Sequence, residues 1–340
     1  MSLSNLEAFV RSVQEDSDLT EIQAPVRSDL DDLQLTMVRF FETSLKLLQG
    51  VGGHLLAARG KKFRPTVLLL IAKTGSADRD DAVFAASVVE MIHTATLIHD
   101  DTIDSSAIRR GMPTLNEMFN DTVATILGDY IYTKAFCELI DRDLPRLVPV
   151  VAKTTHRMTI GEVLGIQQKR DPDLTEEDYF ELIDEKTASL MSSAARIGAI
   201  LGGFSDDEVE EMTVFGEELG RAYQVTDDLF DFVGDESELG KGVGSDLTEG
   251  KVTLPVIHAI RATSGESCEF VRSLVDRREL STEERLRLKE ILDESGSLEY
   301  CRKTALDLAD SALGRLSILP EGLYRTALEK AVAYAVHRIH

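Results

Sequence analysis

Apolar residues recur three to four positions apart through most of this 340-residue chain, and this spacing restricts the fold more than any other feature. Residues 30–48 show it clearly, with Leu30, Leu33, Met37, Leu45 and Leu48 on one helical face. We find no convincing alternation of apolar and polar residues that would indicate a strand. The sequence therefore predicts one all-α domain, a bundle of ten or more helices. Similar patterns occupy residues 66–74, 80–103, 122–140, 145–169, 176–202, 207–234, 252–263, 283–293 and 298–313.

Helix-breaking residues separate these segments, at 52–53, 111–113, 172, 202–203 and 240–244. Two helix starts carry the sequence signature of an N-terminal cap. Residues 173–177 read DLTEE and residues 281–284 read STEE, so a hydroxyl residue precedes acidic residues in both.

Composition excludes several classes of protein. The net charge is −23, which argues against non-specific binding of nucleic acid. No apolar run reaches the length of about 18 residues that a membrane span needs, so we predict no transmembrane segment, and no secretory signal is evident. The three cysteines, Cys137, Cys268 and Cys301, match no metal-binding spacing and favour a reduced, cytoplasmic protein.

The pattern Asp-Asp-x-x-Asp occurs twice, at residues 100–104 and 227–231. On a helix, the first and fifth residues project from one face about 6 Å apart along the axis. Hard carboxylate oxygens in this arrangement suit Mg²⁺, which prefers one or two carboxylates together with substrate phosphates and water. A solvated acidic helix face is the alternative, but apolar residues flank both clusters and favour a pocket. The candidate carboxylates are Asp100, Asp101, Asp104, Asp227, Asp228 and Asp231.

The residues that precede each cluster extend this prediction. Val89, His93, Thr96 and Asp100 fall on one helical stripe, which is apolar at its start and acidic at its end. A second stripe runs through Gly220, Gln224 and the second cluster. Such a layout predicts a pocket for a molecule with a charged head and an apolar tail.

Basic side chains are concentrated in short segments of this acidic chain. Residues 60–65 read GKKFRP, and Arg109 and Arg110 follow the first acidic cluster. Each cation taken alone could be an ordinary surface charge, and His93 could be a core histidine. Taken together, they predict a cradle for phosphate groups. The glycine-rich residues 240–244 lack the preceding strand and the Lys-Ser/Thr ending of a nucleotide-binding loop.

These motifs, in this order, resemble the trans-isoprenyl diphosphate synthase family, closest to its long-chain octaprenyl-type members. The resemblance extends from about residue 25 to residue 335. It divides the chain into an acidic N-terminal segment, 1–24, and a catalytic domain, 25–340. It implies a bundle of mostly antiparallel helices around a deep central cavity, and a homodimer. Five blocks carry it: GKKFRP at 60–65, MIHTATLIHDDTIDSSAIRRGMPTLN at 91–116, Gly128-Asp129-Tyr130, Lys186-Thr187, and GRAYQVTDDLFDFVGD through KGVGSDLTEGKVTLPV at 220–256.

The resemblance also implies a role for each matching residue. Two to three Mg²⁺ ions would bind Asp100, Asp104 and Asp227, supported by Asp101, Asp228 and Asp231. An allylic diphosphate would be held by Arg109, Lys186, Thr187, Gln224, Lys241 and Lys251, with Lys186 and Thr187 among the catalytic residues. Isopentenyl diphosphate would be held by Lys61, Arg64, His93 and Arg110. Departure of the allylic diphosphate would leave a carbocation, which the double bond of isopentenyl diphosphate attacks.

Product length is predicted from Ala95 and Thr96, which precede the first aspartate cluster by five and four positions. In this family, bulky residues at these positions close the floor of the cavity. Neither residue is aromatic here, so we expect long products, hexaprenyl to decaprenyl and near octaprenyl. The alternative is a farnesyl or geranylgeranyl product, if Phe119, Tyr132 or Phe136 blocks the tunnel lower down.

Three other classes of protein are open alternatives. A class I terpene cyclase shares the first aspartate cluster but normally has an Asn/Ser/Glu motif in place of the second. A non-catalytic subunit of a heteromeric synthase loses the aspartates, whereas this chain has both sets. A calcium-binding helical protein would need loops with EF-hand spacing, and none is evident.

Overall fold

The computed structural model describes residues 15–40, 51, 54, 60–233 and 244–337, and nearly all of them lie in helices. The predicted all-α fold is confirmed. The helices are α1 Glu15–Gln23, α2 Arg27–Phe40, α3 Phe63–Thr74, α4 Arg79–Ile103, α5 Leu115–Met118, α6 Asp121–Asp141, α7 Val148–Gln167, α8 Glu176–Ile183, α9 Ser189–Gly202, α10 Asp206–Val233, α11 Ser245–Glu249, α12 Leu254–Ala262, α13 Glu266–Val275, α14 Thr282–Glu294, α15 Ser297–Arg315 and α16 Leu323–Val336, with 3₁₀ turns at Ala24–Val26 and Leu316–Ile318 and a π-helical turn at Asp184–Ala188.

A small hairpin, β1 Ile108–Arg109 and β2 Met112–Pro113, departs from the purely helical prediction. Its antiparallel strands are too short to show any alternation of apolar and polar residues. Arg110 and Gly111 both have positive φ angles, 51° and 74°, and make the tight turn. The hairpin follows the first aspartate cluster directly.

Both predicted helix starts are confirmed as capping boxes. The hydroxyl of Thr175 accepts a hydrogen bond from the backbone N–H of Asp178, whose carboxylate accepts one from Thr175 in return. Ser281 and Glu284 make the same exchange at the start of α14. In both cases, orphan backbone donors of the first turn are satisfied locally, which is why the sequence alone revealed them.

Helices near both ends of the chain pack together. Helix α1 contacts α16, and Ile22 of α1 is completely buried. Gln23 donates a hydrogen bond to the carbonyl oxygen of Lys61 at 2.8 Å, which ties α1 to a block predicted to bind substrate. Helix α1 thus packs on helices of the predicted catalytic domain, although its residues belong to the predicted N-terminal segment 1–24.

Helix α4 runs through the protein and carries the first aspartate cluster at its C-terminal end. Asp78 caps its start by accepting hydrogen bonds from the N–H groups of Asp80 and Asp81, at 2.9 and 3.0 Å. The helix is long and apolar enough to cross a membrane, but 72% of its most apolar window is buried within the protein. That burial is typical of a central core helix.

The other helices enclose α4 and position the second aspartate cluster. Helix α4 packs on α6 and α3, α3 packs on α9, and α9 packs on α10. Helix α10 carries residues 227–231 and packs in turn on α15. A cavity lies between the start of α3, the second half of α4, the middle of α7, the π-turn and α10.

Candidate active site

The central cavity has a volume of about 620 Å³ and brings together residues from four of the five predicted blocks, all except Gly128-Asp129-Tyr130. Basic side chains line one part of it, and the aspartates line another. Apolar side chains, among them Leu97, Met158 and Met191, lie between them. The predicted site residues on its wall are Lys61, Arg64, His93, Thr96, Asp100, Arg109, Arg110, Lys186, Thr187, Gln224 and Asp227.

In the first cluster, Asp100 is the carboxylate that faces the cavity. Its Oδ1 atom is buried without a hydrogen-bond partner, and Lys186 lies 3.8 Å from it. Burial raises the pKa of Asp100 to about 7, with Lys186 opposing the shift and Glu162 adding to it. One oxygen of Asp100 therefore accepts no hydrogen bond from the described part of the chain and is a candidate metal ligand.

The other two aspartates of this cluster already have partners. Asp101 is buried and accepts a 2.7 Å hydrogen bond from Nε of Arg109, which therefore neutralises it. Asp104 lies one turn beyond Asp100, and its backbone N–H donates to the Asp100 carbonyl oxygen. Lys169 and Lys251 lie 3.7 and 3.8 Å from its two oxygens. Two lysines therefore offset the negative charge of Asp104.

In the second cluster, the first two aspartates differ in burial. Asp227 is exposed and lines the central cavity. Asp228 is buried, and burial raises its pKa to about 7, partly offset by hydrogen bonds from Tyr179 and Gln224. The hydroxyl of Tyr179 donates to Asp228 Oδ2 at 2.6 Å, and the Gln224 amide donates to Oδ1 at 2.7 Å. Both oxygens of Asp228 are therefore occupied by protein donors.

Asp231, the third aspartate of the second cluster, is directed away from the cavity. Its carboxylate accepts hydrogen bonds from the backbone N–H groups of Ser245 and Asp246, both at 3.2 Å, and from the Ser245 hydroxyl at 2.7 Å. It therefore fixes the start of α11. The support that it gives to the site is structural, because it holds the segment leading to Lys251.

A continuous chain of hydrogen bonds connects Thr187 with the second cluster. The Thr187 hydroxyl donates to the side-chain oxygen of Gln224 at 3.0 Å, and the Gln224 amide group donates to Asp228. Since Tyr179 holds the other oxygen of Asp228, four side chains on three helical elements have fixed orientations. Thr187 and Gln224 were both predicted to lie at this site. Tyr179 belongs to no sequence motif and was not predicted.

Lys186 and Thr187 lie in the π-helical turn Asp184–Ala188, which joins α8 to α9. Two glycines permit neighbouring helices to approach this turn closely. A Cβ atom at Gly161 of α7 would lie 2.5 Å from the backbone nitrogen of Lys186, and one at Gly220 of α10 would lie 2.7 Å from Cα of Ala188. The turn is therefore packed between two backbones, and π-turns of this kind frequently occur at functional sites.

Glu162 is a site residue that the sequence analysis missed. It lines the central cavity and accepts a 2.8 Å hydrogen bond from Lys186. Lys186 is thereby held between Glu162 and Asp100, which keeps its ammonium group at the boundary between the basic and acidic parts of the cavity. A single glutamate on a long helix carries no motif, so only the fold reveals it.

The basic part of the cavity is built around Arg64 and His93. An Nη1 atom of Arg64 lies 3.3 Å from Nε2 of His93. A guanidinium can only donate, so Nε2 is the acceptor and the ring is neutral. Burial lowers the pKa of His93 well below its usual range, and nearby arginines lower it further. The Arg64 Nε atom is buried without a partner and remains available to an anion in the cavity.

Lys61 and Arg110 complete this part of the site. The Lys61 ammonium group lies 5.2 Å from the ring centroid of Tyr334, which also packs on Phe63. The C-terminal helix α16 therefore contributes to the site, although no contact was assigned to it from the sequence. Arg110 has a left-handed backbone, with φ 51°, and its guanidinium lies next to Gly60.

An ion pair between Lys62 and the buried Glu90 lies next to these cations. Lys62, also left-handed with φ 52°, lies 3.1 Å from Glu90, whose side chain is only 7% exposed. Glu90 is one helical turn before His93 on α4, so its charge offsets several nearby cations. The sequence analysis did not single out Glu90.

Lys251 lies on the far side of the aspartates, in a second cavity of about 230 Å³. This cavity also contains Asp104, Lys169, Asp227 and Asp228, so it adjoins the same acidic groups. Lys241, which was predicted to act with Lys251, lies outside the described residues.

Thr96 and Ala95, the two predicted chain-length residues, occupy different environments. Thr96 lines the central cavity and also a third cavity of about 470 Å³ between α4, α6 and α7, where Tyr132 lies. Ala95 is completely buried in the core. Of the two, Thr96 therefore lies where it can contact an apolar chain that extends from the aspartates.

The donor set fits a divalent metal ion that is shared with a bound anion. Among residues 15–40, 60–233 and 244–337, no three acidic, histidine or cysteine side chains converge into a metal site made by protein alone. Asp100 and Asp227 nevertheless line one cavity, and Asp100 has an unsatisfied buried oxygen. This is the arrangement that Mg²⁺ favours, since phosphate and water supply its remaining ligands.

Comparison with known proteins agrees with this geometry. The model of the polyprenyl synthetase family matches residues 45–294. An all-trans-nonaprenyl-diphosphate synthase (geranyl-diphosphate specific) of Rhodobacter capsulatus is 36% identical over 94% of this chain and 98% of its own length. A short chain isoprenyl diphosphate synthase of Methanothermobacter thermautotrophicus is 37% identical over 84% and 89%.

The fold is also similar to that of relatives whose structures have been solved. The crystal structure of a decaprenyl diphosphate synthase from Rhodobacter capsulatus superimposes with a TM-score of 0.88 and 30% identity, covering 95% of this chain and 99% of that one. The family match covers most of the chain, and the cavity combines the two aspartate clusters with the basic blocks. The chain therefore belongs to the polyprenyl synthetase family and is a trans-prenyl diphosphate synthase.

Proposed function

We propose that this enzyme condenses an allylic diphosphate with isopentenyl diphosphate repeatedly, and that its all-trans products are long, hexaprenyl to decaprenyl and near octaprenyl. The observation that carries the length assignment is the position of Thr96. Thr96, a small residue, lines both the central cavity and the third cavity, so no aromatic side chain at position 96 limits the space in either of them. The nonaprenyl and decaprenyl relatives, which align over nearly the whole chain, support the same assignment.

A short product is the second candidate, and one observation favours it. The short-chain relative is 37% identical, so overall identity does not separate the two product classes. Tyr132 lies in the third cavity and stacks on His99, where it could limit a growing chain. Incubation with radiolabelled isopentenyl diphosphate, farnesyl diphosphate and Mg²⁺, followed by chromatography of the dephosphorylated products, decides between them. Geranylgeranyl diphosphate as the final product would exclude the long-chain proposal.

In the proposed mechanism, each substrate diphosphate has its own cations. Lys61, Arg64 and Arg110 bind isopentenyl diphosphate, and neutral His93 orients Arg64 by accepting one of its hydrogen bonds. Lys186, held by Glu162, binds the allylic diphosphate beside Asp100. Arg109, Thr187, Gln224, Lys241 and Lys251 complete this second group by resemblance. The two anions are thereby held with their reacting carbons facing each other across the apolar middle of the cavity.

The bond changes follow from this placement. When bound, two to three Mg²⁺ ions at Asp100, Asp104 and Asp227 would neutralise the charge that develops on the departing diphosphate. The allylic C–O bond breaks, and the apolar side chains Leu97, Met158 and Met191 exclude water from the carbocation. The double bond of isopentenyl diphosphate then forms the new carbon–carbon bond, and a proton is lost. In the proposed step, the released diphosphate accepts that proton.

The stability of the metal-free enzyme is expected to fall as the pH rises from about 4 to about 7. Asp100 and Asp228 have folded-state pKa values of about 7, above their ordinary value of 3.8. The folded protein therefore binds more protons than the unfolded chain in this window, and it loses that advantage as the carboxyls ionise. Since Mg²⁺ binds the ionised form, it should raise the melting temperature more at pH 8 than at pH 6. Thermal melts at both pH values, with and without Mg²⁺, measure this difference.

The double substitution Asp100→Asn with Asp228→Asn provides the control for this experiment. It removes these two titrating groups with little change in shape, so the pH dependence should weaken, and Asp246, whose pKa burial raises to about 8, should retain part of it. A magnesium effect that is equal or larger at pH 6 in the unsubstituted enzyme would contradict the proposed ligands.

The two substrate sites should respond separately to substitution. Arg64→Ala is expected to raise KM for isopentenyl diphosphate about tenfold or more, because it removes a charge-assisted contact from a buried position. Lys186→Ala should act chiefly on the allylic substrate, and Lys61→Ala should resemble Arg64→Ala. Steady-state kinetics with each substrate varied in turn measure both constants. Equal effects of all three substitutions on both substrates would argue against two distinct sites.

We also propose that the enzyme is a cytoplasmic homodimer. Helices α6 and α7 expose large apolar side chains, including Ile126 and Ile140, each 61% exposed, and Val163, 51% exposed. Such side chains on neighbouring helices favour a protein interface. The three cysteines are free thiols, as expected in a reducing compartment. Light scattering during size-exclusion chromatography would disprove the dimer by giving the mass of one chain.

A further inference from the structure

The π-turn Asp184–Ala188 divides its side chains between two surroundings. Lys186 and Thr187 line the central cavity, whereas Asp184 and Glu185 lie outside it. The two acidic side chains are only 18% and 19% exposed, so water alone does not satisfy them. Their partners are arginines on the two helices that enclose the turn.

Arg221 of α10 and Arg157 of α7 hold these acidic side chains from opposite sides. Arg221 makes a bidentate contact with Asp184 through Nε and Nη2, with Nη2 at 2.5 Å from Oδ2. Nε of Arg157 donates to Glu185 at 2.8 Å. Glu217 lies 3.6 and 3.5 Å from the two arginines and joins them into one network. Bidentate, partly buried pairs of this kind fix orientation as well as charge.

Arg157 also contacts the backbone feature that makes the turn π-helical. The N–H of Ser189 donates to the carbonyl oxygen of Asp184, five residues earlier, and Nη2 of Arg157 donates to the same oxygen at 3.3 Å. A π-turn is less favourable than a regular α-turn and persists where its surroundings hold it. The arginines lie beside the two glycines that admit the turn, since Arg157 precedes Gly161 by one helical turn and Arg221 follows Gly220 directly.

We propose that Arg157, Asp184, Glu185 and Arg221 form a clamp that holds the π-turn in register and thereby directs Lys186 and Thr187 at the allylic diphosphate. This inference depends on the proposed role of Lys186 and Thr187 in binding that substrate. None of the four clamp residues lines the central cavity, so they act as positioning residues. Regular α-helical spacing would rotate the following residues by roughly 100°. Lys186 would then leave its place between Asp100 and Glu162.

The test replaces Asp184 with Asn, which keeps the shape but removes the charge that Arg221 grips. We expect kcat to fall about 10- to 100-fold and KM for the allylic substrate to rise, because a displacement of about 1 Å at reacting groups has effects of this size. KM for isopentenyl diphosphate should change less than about twofold, since its cations lie on α3, α4 and the hairpin. Arg221→Lys keeps the charge but loses the bidentate contact, and should give a smaller loss.

Glu210→Gln is the matched control. Arg196 and Glu210 also form an ion pair between α9 and α10, at 2.8 Å, and neither residue lines the central cavity. The control removes an ion pair between the same two helices, and it should leave kcat and both KM values unchanged because the pair lies away from the cavity. If Asp184→Asn does not fold, Arg221→Lys and Glu185→Gln provide the same comparison.

The outcomes separate this inference from the proposed function. If Lys186→Ala impairs the allylic substrate and Asp184→Asn behaves like Glu210→Gln, the clamp is only structural and the inference fails. Equal effects of Asp184→Asn on both substrates would also overturn it. If Lys186→Ala leaves the allylic constants unchanged, the proposed role of Lys186 fails, and the clamp proposal fails with it.

Discussion

Replacing Asp100 or Asp227 with alanine is expected to remove nearly all turnover while leaving a folded protein. The two side chains come from different helices but line the same cavity, and one buried oxygen of Asp100 accepts no hydrogen bond from the described residues. A group of this kind stabilises charge that develops in the transition state, and its removal typically lowers kcat by about 10²-fold or more. Single-turnover assays with saturating Mg²⁺ and both substrates measure the loss.

The control for these substitutions is Asp207→Ala. Asp207 lies in the exposed first turn of α10, the helix that carries Asp227, and it is remote from the cavity. Its removal should leave kcat unchanged. Melting temperatures of Asp100→Ala and Asp227→Ala without metal should equal or exceed that of the unsubstituted enzyme, because repulsion among the carboxylates is relieved. Near-normal turnover of either variant with Mg²⁺ would refute the metal-ligand assignment.

Asp231 is expected to behave differently from the other aspartates of its motif. It caps α11 through Ser245 and Asp246, so its substitution should lower stability first and activity as a consequence. The three aspartates of the motif cannot be distinguished from the sequence, because their spacing predicts only that they lie on one face of a helix. In the structure, the three aspartates differ in the residues outside α10 that surround each carboxylate.

Features that depend on local spacing were predictable from the sequence. The helix periodicity, the two capping boxes and the placement of each aspartate cluster on a helix all involve residues within about five positions of one another. The basic blocks were also predictable as a group, because their cations are dense in an otherwise acidic chain. The resemblance predicted that they converge on one site; Lys61, Arg64, Arg109, Arg110 and Lys186 line the central cavity, whereas Lys251 lies in a second cavity.

Features that depend on contacts between distant segments were not predictable. Tyr179 reaches Asp228 across 49 positions, and Glu162 reaches Lys186 across 24. Neither residue belongs to a charge cluster or a motif. The π-turn also leaves no signature, since its hydrogen bonds differ from those of an α-helix by a single residue. Such positions become evident only when the helices that carry them are packed together.

The substitution Thr96→Phe is expected to shorten the product by several isoprene units. Thr96 lines both the central cavity and the third cavity, so an aromatic ring there would fill part of the space beside Asp100 and Met158, which also line both cavities. Its hydroxyl bonds only to the His93 carbonyl oxygen of its own helix, so losing it disturbs little else. The ring would enter open space and not the packed core, and the fold should tolerate it. Reversed-phase chromatography of the dephosphorylated products measures the change.

Ala95→Phe provides the comparison, because the neighbouring residue is completely buried in the core. The sequence alone predicted that a phenylalanine at either position would shorten the product. At Ala95 the added ring must displace packed side chains, which typically costs about 1–3 kcal/mol, so a lower melting temperature should accompany any change in product. Shorter products from Thr96→Phe at an unchanged melting temperature would establish that Thr96 borders the path of the chain. Unchanged product length in Thr96→Phe would mean that the polyprenyl chain takes another route out of the central cavity.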